Sequence, residues 1–320
     1  MRLIGIAMLR NEADIVEAFV RHHVALLDQL VLVDHGSTDA TPGILQELVK
    51  EGLPLEVHPD PASAFRQDER LTVLARDAFE RRGADVVFPL DADEFLRVDS
   101  RTTLEVRLEP LASTGVARLP WSLQVASAQD AREPHPLRRL RWRAQLPASN
   151  MWKCVLGRRL LDVGRWWLAP GNHWVLHEVD GQARVLDAPT IELLPLAHLP
   201  FRSPEQYLGK IVQGWLAHRL RAGPSARSSP INAHWRTLYD RWLAGETPDW
   251  SALQEHALTW YALQPAPDAR AYARDEITLI EDPLPTIAEL HHTPAHAADP
   301  LRRLAAWTER LLDSLVPGPG

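Results

Sequence analysis

Four short apolar runs, each ending in polar residues and each separated from the next by a stretch with helical spacing, occupy the first hundred residues. This alternation constrains the fold more than any other feature, because strand–helix–strand units close into a parallel sheet. Leu3 to Met8 reads as a buried strand. Asn11 to Leu27 reads as a helix, with Ile15, Val16, Phe19, Val20 and Val24 on one side and Glu12, Asp14 and Glu17 near the positive end of its dipole. Gln29 to Val33 is the second strand, after which Thr41-Pro42 opens a helix that Gly52 closes. Leu53 to His58 is the third strand, about Asp68 to Arg82 the third helix with Gly83 at its end, and Val86 to Leu90 the fourth strand. That last strand runs straight into Asp91-Ala92-Asp93-Glu94. Polar segments therefore collect at the carboxyl edge, where open α/β sheets bind ligands.

Beyond residue 115 the pattern is less regular. Val116 to Trp121, Trp152 to Leu156 and Trp174 to Leu176 are short β-like runs divided by Pro-, Gly- and Arg-rich segments, read as an antiparallel extension of the sheet. Pro204 starts a helical region with Tyr207, Ile211, Trp215 and Leu216 at helical spacing, expected to continue with interruptions to Leu315. Ala222 to Pro230 reads as a loop, and Val316 to Gly320 as a frayed tail. The expected division is an α/β domain over residues 1–203 and a helical region over 204–320.

Composition excludes several classes of function. In 320 residues, 35 Lys+Arg stand against 42 Asp+Glu, a net charge of −7, which argues against a surface that neutralises nucleic-acid phosphates. The single cysteine, Cys154, leaves neither a disulfide framework nor a Cys-based zinc site and fits a reducing compartment, so the expected location is cytoplasmic. Met1 to Met8 is too short for a signal peptide, and no run approaches the ~18 apolar residues of a spanning helix.

Three polar constellations fall on the predicted edge. Asp91 and Asp93, at i and i+2 beyond a strand, can face one way and suit a hard cation such as Mg²⁺ or Mn²⁺. Such triplets arise readily by chance in an aspartate-rich chain, so their position carries the argument. Val33-Asp34-His35-Gly36-Ser37-Thr38-Asp39 can bind a nucleoside through Asp34, or simply form a turn whose Ser, Thr and Asp cap a helix; spacing alone favours the cap. Arg10-Asn11-Glu12 follows the first strand without the G-x-G-x-x-G of dinucleotide sites, and the chain holds no G-x-x-x-x-G-K-[ST].

Asn11-Glu12-Ala13-Asp14, His23, the segment from Val33 to Thr41, Gly83-Ala84-Asp85 and Phe88-Pro89-Leu90-Asp91-Ala92-Asp93-Glu94-Phe95 together resemble the family 2 glycosyltransferases, in particular the bacterial branch that shares features with family 92. The likeness runs over roughly residues 1 to 215. It implies a GT-A fold, Rossmann-like with helices on both faces of a mostly parallel sheet, followed by the C-terminal helices. It further implies a nucleotide-diphospho-sugar donor, a UDP-sugar being favoured, and a Mn²⁺ or Mg²⁺ ion. Carried over by residue, Asp34 faces the base or ribose, Asp91 the ribose or metal shell and Asp93 the metal. Arg10 and Asn11 sit beside the nucleotide, with Gln67 and Arg70 in a segment that approaches it. His35 departs from the wider pattern, where a second acid is common, and leaves nucleoside identity open.

The same resemblance makes His198 a third metal ligand, although it can equally satisfy a backbone group before a helix that Ser203 caps. Trp152-Lys153 and Gly171-Asn172-His173-Trp174 resemble acceptor-side segments, while each tryptophan also reads as a packing residue. The expected activity is sugar transfer, inverting and metal-dependent, to a saccharide or lipid-linked acceptor. Its general base is the thinnest part of the reading: Glu178 and His173 are the candidates, beside Asp130, Glu133 and Asp180. The C-terminal helices can shape the acceptor site, support a homodimer or lie on a membrane surface. Rival readings are a non-catalytic relative that binds sugar or a partner, a nucleotidyltransferase of similar fold, and a hydrolase using His173, His177 and His198.

Overall fold

The computed structural model describes residues 1–61, 66–145, 151–222, 226–227, 233–262 and 277–293. Its first part alternates as β1 (Leu3–Leu9), α1 (Val16–Val24), β2 (Gln29–Asp34), α2 (Thr41–Lys50), β3 (Leu55–Pro59), α3 (Gln67–Glu80) and β4 (Val86–Leu90). β1 pairs in parallel with β2 on one side and β4 on the other, and β3 lies beyond β2. β1 is buried at every position, as a strand covered on both faces must be. Ala7 and Leu9 pack in one apolar cluster with Phe19 of α1 and Ile44 of α2, while Ile4, Ile6 and Met8 pack in a second with Leu71 and Phe79 of α3. The chain steps outward through β2 and β3, then returns to the far side of β1 to make β4. The strand order therefore reverses between β1 and β4, and a crevice opens there at the carboxyl ends.

The second part comprises β5 (Glu94–Leu96), α4 (Arg101–Arg107), α5 (Leu111–Thr114), β6 (Val116–Val125), α6 (Pro136–Arg139), β7 (Trp142–Gln145), β8 (Trp152–Gly157), β9 (Trp166–Leu168), β10 (Val175–Val179), β11 (Gln182–Val185), β12 (Leu196–Phe201), α7 (Pro204–Ala222), α8 (Ala233–Leu243), α9 (Trp250–Ala262) and β13 (Thr278–Glu281). β8 runs antiparallel to β4, and β6, β7 and β13 extend the sheet from it. β12 pairs with both β5 and β6. β9, β10 and β11 form a separate antiparallel sheet. Among the described residues no helix is long and apolar enough to cross a membrane.

Several boundaries differ from the sequence expectation for definable reasons. The first helix was expected from Asn11 and begins at Val16, because Asn11 has a left-handed backbone (φ 57°) and the backbone N–H groups of Asn11, Glu12 and Ala13 go to side chains of another loop. Gly52 (φ 81°) and Gly83 (φ 69°) end α2 and α3 as expected. β12 has no counterpart in the expectation: it contains Pro200 and shifts register between His198 and Phe201, features that weaken a strand pattern. β13 falls inside the region expected to be helical; it pairs with β7, and Asp282 just beyond it forms an ion pair with Arg97 at 2.5 Å and another with Arg143. Val316 to Gly320, and most of Ala222 to Pro230, lie outside the described residues.

Candidate functional site at the sheet edge

The loop after β2 is built mainly to hold the end of β1. Ser37 Oγ accepts from the backbone of Asn11 (2.9 Å), Thr41 Oγ1 from Glu12 (2.9 Å) and Asp39 Oδ2 from Ala13 (3.2 Å). Three successive N–H groups ahead of α1 are thereby satisfied by one polar loop, while Asp39 Oδ1 accepts from the backbone of Thr41 (2.9 Å) at the start of α2. Asn11 returns the contact: its Oδ1 accepts from the backbone of Thr38 at 2.7 Å, and its Nδ2 donates to Gln213 Oε1 of α7 at 3.0 Å. Asp34 Oδ1 accepts from the backbone of Ser37 at 3.1 Å, and Arg10 Nε donates to the carbonyl of His35 at 2.5 Å. Arg70 is half exposed and paired with Asp60 at 2.9 Å.

At the end of β4 the carboxylates are closely engaged. Asp91 Oδ1 accepts from Gln67 Nε2 and Oδ2 from Lys153 Nζ, both at 2.6 Å. Glu94, fully buried, accepts from the indole of Trp121 (2.8 Å) and the backbone of Asp91 (2.9 Å), with Lys153 at 3.4 Å. Burial pushes Glu94 up to about 8 against the pull of Lys153. Asp93 is 1 % exposed; Lys210 of α7 pairs with its Oδ2, His198 Nε2 lies 3.7 Å away and Arg202 Nη1 3.9 Å away. Burial alone would raise the Asp93 carboxyl, but Lys210 and other nearby positive charge outweigh it and hold it well below the usual carboxylate range. Arg202 is also buried, bonded to Asp14 Oδ2 at 2.7 Å and to Glu12, whose carboxyl burial pushes up to about 7.

The aromatic side of the cluster is ordered by stacking. Trp121 lies flat on His198 (4.0 Å between centroids, 23°) and edge-on to His173 at 5.2 Å. His173 Nδ1 is 2.6 Å from the carbonyl of Trp152. A carbonyl only accepts, so Nδ1 carries the proton and Nε2 the lone pair. Burial, with Lys153 nearby, brings His173 down to about 4, and burial brings His198 down to about 3, so both rings are neutral near pH 7. Glu178 is elsewhere: it lies on β10, exposed, and pairs with Arg165 at 2.9 Å. Arg165 lines a groove of about 320 Å³ between α3 and β9, together with Asp68, Glu69, Thr72, Trp167 and Leu168.

Of the residues expected at the site, the structure joins Gln67 to Asp91, and places Asp93 beside His198. Asn11 and Asp34 anchor the loop, and Glu178 stands apart on the smaller sheet. The three side chains expected to ligate a cation do not fit one as they stand. Both oxygens of Asp91 are engaged, Oδ2 of Asp93 is held by an ammonium, and among the described residues no three His, Cys, Asp or Glu side chains gather as a metal cradle. Sequence reasoning did not foresee that Lys153, Arg202 and Lys210 would supply the counter-charge. The first two left a trace, as a lysine inside an apolar strand and an arginine directly after one, since a charge in such a place needs a partner.

Fold and site define an open α/β protein whose switch-point edge carries a buried, charge-balanced carboxylate cluster. Neither a protein-family profile nor a curated protein matches the sequence. Similar solved structures include S. aureus TarS 1-349 in complex with UDP, with 13% identity, 76% of this chain and 71% of that chain covered, and a TM-score of 0.39. Another is the mannosyltransferase PcManGT from Pyrobaculum calidifontis in complex with GDP-Man and Mn²⁺, with 19% identity, coverage of 83% and 81%, and a TM-score of 0.37. Both superpositions are loose, and the site stands on its own geometry.

Proposed function

We propose that the chain transfers a sugar from a nucleotide-diphospho-sugar donor to an acceptor hydroxyl. The observation that carries this reading is the convergence of Arg10, Asp34, Gln67 and Asp91 on the carboxyl ends of β1, β2 and β4, beside the point where strand order reverses. That crevice is where an open parallel sheet receives a nucleotide. The family resemblance of the motifs on these loops specifies the donor class. Asp34 addresses the ribose or base, and Gln67 and Arg10 flank the diphosphate.

In the reaction the acceptor oxygen attacks the anomeric carbon, the bond from that carbon to the diphosphate oxygen breaks, and the acceptor proton passes to a base. We assign that base to His173, whose Nε2 bears the lone pair in the tautomer set by Trp152, and the outcome to inversion. Lys153 and Lys210 are the cations nearest the carboxylates where charge develops on the leaving nucleoside diphosphate. A panel of nucleoside-diphosphate sugars tested by thermal shift, followed by release of free nucleoside diphosphate, examines the proposal. Stabilisation and slow hydrolysis by at least one donor are expected; a panel that neither stabilises nor turns over overturns it.

A further inference from the structure

We infer that Lys210 takes the place of a divalent cation at Asp93, so that the chain binds a nucleoside diphosphate without metal. The inference rests on the donor reading above. Its basis is the arrangement of charge around Asp93: Lys210 holds Oδ2, and Arg202 stands 3.9 Å from the same atom. Arg202 cannot withdraw, because Asp14 and Glu12 bind it and its side chain is 1 % exposed. A doubly charged ion sits about 2 Å from a ligating carboxylate oxygen, and here it would displace an ammonium only to lie close to a fixed guanidinium. Asp91 already shares its charge, since Gln67 holds one of its oxygens and the Lys153 ammonium the other.

The helix that brings Lys210 is positioned for this role. Lys210 and Gln213, three residues apart and so on one face of α7, reach Asp93 and Asn11 at the ends of β4 and β1. Gln206, one turn earlier, accepts from the backbone of Arg202 at 3.2 Å. One stripe of α7 is thus tied to the edge of the sheet on both sides of the switch point. Lys210 retains 27 % side-chain exposure while Lys153 has 1 %, so of the two lysines Lys210 is the one an arriving diphosphate can reach. An ammonium has three donors, and can hold a carboxylate while donating to a phosphate oxygen.

Calorimetric titration with UDP and with GDP, in chelator and in excess Mn²⁺, tests the inference without using turnover. Wild-type protein is expected to bind at least one of them with affinities in chelator and in Mn²⁺ that agree within about twofold. Lys210→Met is expected to weaken that binding in chelator by about tenfold or more, the worth of one charge-assisted hydrogen bond, and Lys210→Arg to keep most of it. Circular dichroism on the two variants separates lost contacts from lost fold. Wild-type binding that requires Mn²⁺, or an unchanged affinity in folded Lys210→Met, overturns the inference and leaves the donor reading standing. No binding of either nucleotide under either condition overturns both.

Discussion

Lys153 Nζ lies 2.6 Å from Asp91 Oδ2, yet the lysine side chain is 1 % exposed and the aspartate 29 %. The buried ammonium therefore meets the crevice only through the carboxylate that covers it. Burial opposes its charge, but Asp91 and Glu94 more than compensate and raise its proton affinity. Lys153→Met leaves both acids without this partner and is expected to destabilise the fold by about 3 kcal/mol in urea titrations. Asp91→Asn is expected to cost less, because Glu94 remains 3.4 Å from the ammonium. The double variant should recover about 1 kcal/mol or more relative to the sum of the single changes. Strict additivity would mean that the pair does not interact.

Stability should fall on acidification through three buried imidazoles. Burial brings His22 and His35 down to about 4 and His23 well below its ordinary value. With a depressed folded value, each ring binds its proton in the unfolded chain first. The stability it confers is complete above about pH 6.5 and declines as the pH falls from there toward 4. His23→Leu, which removes a ring nitrogen buried without a partner, is expected to flatten the slope by about one proton, about 1.4 kcal/mol per pH unit. Denaturant midpoints measured between pH 7 and 4.5 report this directly; an unchanged slope would contradict it.

Asn11 combines a left-handed backbone with four hydrogen bonds to side-chain or backbone groups of the next loop and α7. Asn11→Ala loses the side-chain bonds and places a Cβ in an unfavourable conformation, a cost of about 2–3 kcal/mol. Asn11→Gly relieves only the backbone part, so its melting temperature should lie between those of alanine variant and wild type. A glycine variant no more stable than the alanine one would show that the backbone conformation is not strained.

Turnover separates the two base candidates. His173→Ala is expected to lower the rate constant for sugar release by about 10²–10⁴-fold, with nucleotide affinity retained. Glu178→Gln, on an exposed strand paired with Arg165, should reduce it by less than about threefold. A larger loss in the second variant than in the first would move the base to Glu178.

The alternating pattern of residues 1–90 was sufficient to read the parallel core, because each strand there is a short apolar run and α2 and α3 each end at a glycine. It also carried Asp91 to the carboxyl edge, since loops after parallel strands share one side of the sheet. β12 and β13 were not legible: their pairing partners lie far away in sequence, and proline or mixed polarity obscures their local pattern. The ionic partners of Asp91 and Asp93 were decided by tertiary structure alone. Lys153 is 62 residues from Asp91 and Lys210 is 117 from Asp93, and only the antiparallel return of β8 and the crossing of α7 bring them within reach. Local sequence determines which faces are buried and where strands end; whether a carboxylate at such an end awaits a cation or already has one depends on chain segments that no spacing rule connects to it.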